Sequence, residues 1–161
     1  MKIGLISDTH GKLDPRILPL FEGVEHILHA GDIGPNTVIE QLESVAPVTA
    51  VIGNMDWCVS YHLFERREFS GKHFLMTHQV GDPGDPLRAV REKIEKEKTD
   101  VIVFGHTHVM YAERHDGALF FNPGSASKRK SGHPLSIATM EIRDGELKWK
   151  FIDLDKLWGE R

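Results

Sequence analysis

Seven side chains of this 161-residue sequence have the types and settings that bind transition metals: Asp8, His10, Asp32, Asn54, His78, His106 and His108. They fall in five short segments, Asp8-Thr9-His10, Gly31-Asp32, Gly53-Asn54, Thr77-His78 and Gly105-His106-Thr107-His108. The donors are carboxylate, amide oxygen and imidazole, with no thiolate, a set that suits Mn²⁺, Zn²⁺, Fe²⁺, Co²⁺ or Ni²⁺ and argues against a structural zinc finger. Seven protein ligands exceed the three that a single catalytic zinc ordinarily takes, so two ions are expected. Asp8 and His10, like His106 and His108, are two residues apart. In an extended segment that spacing turns both side chains to the same side, so each pair is expected to grip one ion. Glycine stands immediately before Asp32, Asn54 and His106, where the lack of a Cβ permits a sharp exit from a strand and a close backbone approach.

Each segment follows a short apolar run. The runs cover residues 3–6, 26–29, 48–52, 73–76 and 101–104; all are rich in Val, Ile and Leu, are bounded by turn residues and read as buried strands. Between them, Asp14-Pro15 is expected to open one helix, Asn36 to cap a second over residues 37–43, and Asp85-Pro86 to open a third over residues 87–98. In the third, Leu87, Val90 and Ile94 share one face, while Glu92 and Lys96 form an i,i+4 pair on another. After residue 108 the pattern changes: Asp116-Gly117 and Asp144-Gly145 sit between alternating runs as two-residue hairpin turns. Leu147, Trp149 and Phe151 alternate with Lys148 and Lys150, which puts the apolar set on one face of an antiparallel strand. The expected class is α/β, with parallel crossovers first and antiparallel strands added at the carboxyl end. In such a fold the carboxyl ends of neighbouring strands line one crevice, where the seven ligands would meet.

Composition bounds the partners. Hydrophobic residues are 40% and charged residues 27%, ordinary values for a folded chain, and the length suggests one domain over residues 1–161. Lys plus Arg number 20 against 24 Asp plus Glu, a net charge of −4, so general nucleic-acid binding is disfavoured. A single cysteine, Cys58, excludes an intramolecular disulfide framework. The apolar run at residues 3–6 is too short for a signal peptide or a membrane span, so no membrane partner and a cytoplasmic location are expected. A homodimer is carried only as the commonest assembly, since nothing in the sequence argues for one.

Asp8-x-His10, Gly31-Asp32, Gly53-Asn54, His78 and Gly105-His106-x-His108, in this order, resemble the calcineurin-like metallophosphoesterase superfamily. The compact length and the Asn122-Pro123-Gly124-Ser125 segment bring the likeness closer to its small, single-domain bacterial and archaeal phosphodiesterases, and it covers essentially the whole chain. The resemblance implies a four-layer fold, a two-sheet β-sandwich flanked by helices, with a binuclear centre at one edge. By position, Asp8, His10, Asp32 and His108 would hold the first ion and Asp32, Asn54, His78 and His106 the second, with Asp32 bridging. The cofactors implied are two divalent transition metal ions, manganese foremost. Such ions sit about 3.5–4 Å apart and share a hydroxide that attacks phosphorus in line, while the cations offset the charge on the equatorial oxygens. Asp32 and Asn54 would act through the metals on a small phosphodiester. A phosphomonoesterase or nuclease with the same centre is one alternative. A non-catalytic scaffold, the use a retromer-coat relative makes of this fold, is another, against which the retention of every ligand position weighs.

Two positions depart from the wider family. Met55 stands where many members carry a histidine that assists the leaving group, and methionine cannot donate a proton; substrates with low-pKa leaving groups are therefore expected. Gln79 follows His78 where relatives often have glycine, and is expected to narrow the mouth or to bond substrate. Of the other histidines, His29 reads as a buried, hydrogen-bonded imidazole, His133 as a loop residue, and His26, His62, His73 and His115 receive no role. Lys128-Arg129-Lys130 reads as solvated surface, Thr9 and Thr107 as hydrogen-bond partners of the ligands, and Cys58 as packing.

Overall fold

The computed structural model describes residues 1–57 and 60–159, so the expectation for Cys58 lies outside the described residues. The elements run β1 (Lys2–Ile6), α1 (Ile17–Leu20), β2 (His26–His29), α2 (Thr37–Glu43), β3 (Val48–Ala50), β4 (Phe64–Phe69) and β5 (Lys72–Thr77). After these come β6 (Gly81–Asp82), β7 (Asp85–Pro86), α3 (Arg88–Lys96), β8 (Val101–Val103), β9 (Met110–His115), β10 (Ala118–Pro123), β11 (Ser136–Arg143), β12 (Glu146–Asp153) and α4 (Leu154–Trp158). All five expected strands form, two of them shorter at the carboxyl end than their apolar runs.

These strands do not share one sheet. The first sheet has the order β12-β11-β1-β2-β3 and the second β4-β5-β8-β10-β9. Within the first, β1, β2 and β3 are parallel, and β11 and β12 add antiparallel on the other side of β1. Within the second, β8 runs parallel to both β5 and β10, and β4 and β9 close the edges antiparallel. The crevice at the carboxyl ends is therefore made by two sheets face to face, as the family resemblance implies and as a single open sheet does not.

Strand periodicity sorts the side chains into layers. Ile3, Leu5 and Leu28 of the first sheet pack against Phe74, Met76, Val101, Val103, Leu119 and Phe121 of the second. Their alternate neighbours Ile6 and Ile27 turn outward onto Ile17, Phe21, Val38, Ile39 and Leu42 of the α1–α2 side. Leu75, Ile102 and Phe120 turn the other way onto Val90 of α3. Strands covered on both faces need apolar residues at every position, which is why their runs are continuous. Each such side chain, fully buried, contributes about 1.5–3 kcal/mol of hydrophobic stabilisation.

The hairpins at Asp116-Gly117 and Asp144-Gly145 form with both turn residues at positive φ, as a type I′ turn requires. A third of the same kind, Ser70-Gly71, joins β4 to β5. Strand β4 lies outside the runs read from the sequence; its Glu65, Arg66, Arg67 and Glu68 are charges of the kind an edge strand carries. Trp149 points toward Phe121 with ring centroids 6.1 Å apart, on the apolar face expected for β12.

The helix starts need correction. Asn36 does not cap α2: its amide accepts from the Tyr61 hydroxyl at 2.8 Å and donates to Glu40 at 3.3 Å. Asp85-Pro86 does not open α3 but pairs with Gly81-Asp82, and the Leu87 N–H donates to the Val80 carbonyl at 2.8 Å. That bond holds Leu87 extended, and helix begins only at Arg88. Leu87 is consequently 49% exposed, although Val90 is buried and Ile94 packs partly beside it. Glu92 bonds Arg88 at 2.8 Å, one turn earlier than the Lys96 partner anticipated.

Candidate metal centre

The segments at the carboxyl ends of β1, β2, β5 and β8 meet at one edge of the sandwich. Residues Asp8, His10 and His108 bring ligand atoms within 4.8 Å of one another, and so do Asp8, Asp32 and His78. Asp8 Oδ1 lies 3.1 Å from His108 Nε2, 3.8 Å from His10 Nε2 and 4.0 Å from His78 Nε2. Asp32 Oδ2 lies 3.4 Å from His78 Nε2 and 3.8 Å from His10 Nε2, so it faces both groups.

Hydrogen bonds decide which atoms face inward. Asp8 Oδ2 accepts from the Ser7 hydroxyl at 2.6 Å and from the His106 N–H at 3.2 Å, leaving Oδ1 bare. Asp32 Oδ1 accepts from the Met55 N–H at 2.8 Å, leaving Oδ2 to the interior. His78 Nδ1 lies 2.7 Å from the Ala30 carbonyl; since a carbonyl only accepts, Nδ1 carries a proton, and in the neutral ring Nε2 has the free lone pair. Asp8 Oδ1, His10 Nε2 and His78 Nε2 are all buried with no hydrogen-bond partner. Buried polar atoms are ordinarily paired, so three such atoms converging on one point fit a site built for cations.

The backbone is strained at these places. Among the described residues, positive φ outside glycine occurs at Asp8, His10, Asp32, His106 and His108, and otherwise only at Ser70, Asp116 and Asp144 of the hairpins. This corrects the expectation that the Asp-x-His and His-x-His pairs lie in extended segments. The left-handed conformation costs about 1–2 kcal/mol at each residue that is not glycine, and its concentration here marks this edge as the candidate functional site. The neighbouring glycines are forced by contact. A Cβ on Gly53 would stand 2.1 Å from Asp32 Oδ1, and one on Gly105 would stand 2.0 Å from Ser7 Oγ.

Electrostatics follow the burial. Desolvation lowers the pKa of His10 and, likewise, of His106. Burial is also the largest influence on His78, in the same direction, but the Asp32 and Asp8 carboxylates and the Ala30 carbonyl outweigh it and raise that imidazole. Burial pushes Asp32 up, yet His78, the Met55 N–H and His10 together leave it lowered. His29, fully buried, is lowered to about 4 chiefly by desolvation. Its Nδ1 accepts from the Gly31 N–H at 3.2 Å, so Nε2 carries the proton and donates to Thr9 Oγ1 at 2.9 Å, and Thr9 donates in turn to the Ile33 carbonyl. His29 is thus the bonded core imidazole expected of it, and Thr9 ties the first ligand loop to the second.

Asn54 and His106 stand apart from the two groups. Asn54 Oδ1 lies 2.9 Å from His106 Nδ1 and 3.0 Å from Gln79 Nε2, and the His106 ring is edge-on to His78 with centroids 5.3 Å apart. Gln79 therefore contacts the site residues themselves.

Several supporting residues escaped sequence reasoning. Asp56 accepts from the Gly34 N–H and the Gly53 N–H, each at 2.8 Å, stapling the Asn54 loop to the Asp32 loop. Buried Asn122 donates to the Gly105 carbonyl at 2.8 Å and to Thr107 at 3.0 Å, and Ser125 and Ser127 donate to the carbonyls of Asp8 and Thr9. The Asn122-Pro123-Gly124-Ser125 segment was the available signal. Lys128, Arg129 and Lys130 are exposed as expected, with Arg129 paired to Asp155.

The sequence profile of the calcineurin-like phosphoesterase superfamily domain matches residues 1–145. The chain belongs to the calcineurin-like phosphoesterase superfamily. It is 33% identical over 154 residues to a probable metallophosphoesterase of Methanothermobacter thermautotrophicus, covering 91% of this chain and 88% of that one. It is 32% identical over 168 residues to a phosphodiesterase of Methanocaldococcus jannaschii, covering 92% and 95%. The calcineurin-like fold extends further: Vps29 of Entamoeba histolytica, solved with Zn²⁺, superposes with a TM-score of 0.75 at 22% identity, over 95% of this chain and 99% of that one.

Proposed function

We propose that this calcineurin-like phosphoesterase is a metal-dependent phosphodiesterase whose seven Asp, Asn and His side chains hold two divalent transition metal ions, manganese foremost. The observation that carries the reading is the convergence of three buried, unpartnered donors, Asp8 Oδ1, His10 Nε2 and His78 Nε2, in overlapping carboxylate–imidazole groups. Asp8, His10 and His108 would hold one ion, Asn54, His78 and His106 the other, and Asp32 would serve both, since its inward oxygen faces His10 and His78. Cations there supply Lewis acidity, which activates water and offsets negative charge on a phosphoryl group.

The chain's own residues set the rest. The bonds to Asp8 Oδ2, Asp32 Oδ1 and His78 Nδ1 fix each ligand before any ion arrives, which limits the reorganisation that binding requires. At the leaving-group side, Met55 is 53% exposed and carries no proton to give, and both carboxylate oxygens of Asp56 are taken by backbone N–H groups. Neither Met55 nor Asp56 therefore supplies an acid for an alkoxide, so these two residues favour esters whose leaving group departs as a stable anion, such as aryl phosphodiesters.

The test is hydrolysis of an activated aryl phosphodiester by metal-stripped protein before and after addition of Mn²⁺ or Ni²⁺. Activity should vanish on stripping and return with the ion. Alkyl phosphomonoesters run in parallel should turn over far more slowly; the reverse order would replace the phosphodiesterase reading with a phosphomonoesterase one.

A further inference from the structure

The seven ligands do not present themselves alike. Around Asp8, the donors Asp8 Oδ1, His10 Nε2 and His78 Nε2 have no partner, so an ion entering there displaces no protein hydrogen bond. Asn54 and His106, in contrast, are already engaged. Their contact at 2.9 Å joins an amide oxygen, which can only accept, to His106 Nδ1, which must therefore carry a proton and donate it. The same oxygen accepts a second N–H, from Gln79 Nε2 at 3.0 Å, and this nitrogen is also 3.4 Å from His106 Nδ1. Asn54 Oδ1 thus has both lone pairs in use. The electropositive end of the Gln79 carboxamide sits against two of the groups that would face the second ion.

We propose that Gln79 is a tethered occupant of the second cation position, which the second ion must displace, so that the two ions load in sequence with unequal affinity. The inference rests on the metal-dependent reading above. Gln79 directly follows His78 at the end of β5 and its side chain is exposed, so it can swing into water and exchange its hydrogen bond for one to solvent. The exchange is nearly balanced. A hydrogen bond of this kind is worth a few-fold to about tenfold in an equilibrium constant, and that is the handicap Gln79 places on the second ion. Loading of the second position would then respond to metal concentration over a range in which the first is already full.

Calorimetric titration of metal-stripped protein with Mn²⁺ tests this, accompanied by electron paramagnetic resonance, which distinguishes an isolated Mn²⁺ from an exchange-coupled pair. Gln79→Ala should leave the first equivalent unchanged and tighten the second a few-fold to about tenfold, with the coupled signal appearing at correspondingly lower Mn²⁺. Gln79→Met keeps about the same length but has no N–H to give Asn54 and adds no charge or oxygen donor, and should also tighten the second equivalent; it carries the test should the alanine variant fold poorly. A second equivalent that is unchanged or weaker in both variants overturns the proposal, and so does equal tightening of both equivalents. Folded wild-type protein that takes up no Mn²⁺ overturns the metal-dependent reading itself, and the gate with it.

Discussion

At His29 a single proton links the core to the loops of the candidate site. The imidazole is fully buried and its pKa is lowered to about 4, against about 6.5 when exposed. The unfolded chain therefore takes up the proton first as pH falls. The stabilisation is complete above pH 6.5 and is lost as pH approaches 4, about 3 kcal/mol in all. His10, His26 and His106 are also lowered and act with the same sign; His78, raised, opposes them, its contribution being full below pH 6.5 and lost above. Urea unfolding of metal-stripped protein should show a steep loss of stability from pH 7 to 4.5, and a flat profile would contradict the buried neutral imidazole. Asp32 gives a second residue-scale prediction. Its two oxygens divide between the Met55 N–H and the interior, and the inward one faces both His10 and His78. Removing a residue that merely orients a ligand costs about 10–100-fold in metal affinity, so Asp32→Asn should weaken Mn²⁺ binding by more than about a hundredfold, measured by calorimetry on folded protein.

The elements work by delivering loops to one edge. Strands β1, β2, β5 and β8 were legible from their runs because strands covered on both faces are largely apolar, and the candidate-site segments were legible because each follows such a run. The helix starts were not, since Asn36 and Asp85-Pro86 carry cap and turn chemistry that partners outside the helices, Tyr61 and Gly81, claim instead. Nor was the left-handed backbone at Asp8, His10, His106 and His108, which no residue spacing reports. Strand β4 hid behind four charges, though the Ser70-Gly71 turn was its signal. Asp56 lay beyond sequence reasoning because one of its two bonds reaches Gly34, 22 residues away. Asp56→Ala strips the acceptor from the Gly34 and Gly53 N–H groups, and should cost about 2–3 kcal/mol in urea unfolding while weakening the cation site that holds Asn54. Unchanged stability would show that the staple is not needed.

At the scale of the molecule, the fold holds strained loops and unpartnered donors in place through two sheets and three apolar clusters. Five left-handed residues at about 1–2 kcal/mol each, with uncompensated polar atoms beside them, make the metal-free state less stable than its core would allow. Cations binding only the folded chain would restore the difference by mass action: at 100 times the dissociation constant one ion would add about 2.7 kcal/mol. For a chain of this size that corresponds to a melting temperature about 5–10 °C higher, and scanning calorimetry with and without Mn²⁺ should find it. Among the described residues no helix is long and apolar enough to cross a membrane.

The central claim is that one edge of the sandwich holds cations, and the most direct measurement is an anomalous-difference map from crystals grown with Mn²⁺. The account predicts a peak bounded by Asp8, His10 and His108 and, at high Mn²⁺, a second bounded by Asp32, Asn54, His78 and His106. A map with no peak among these seven side chains would contradict it.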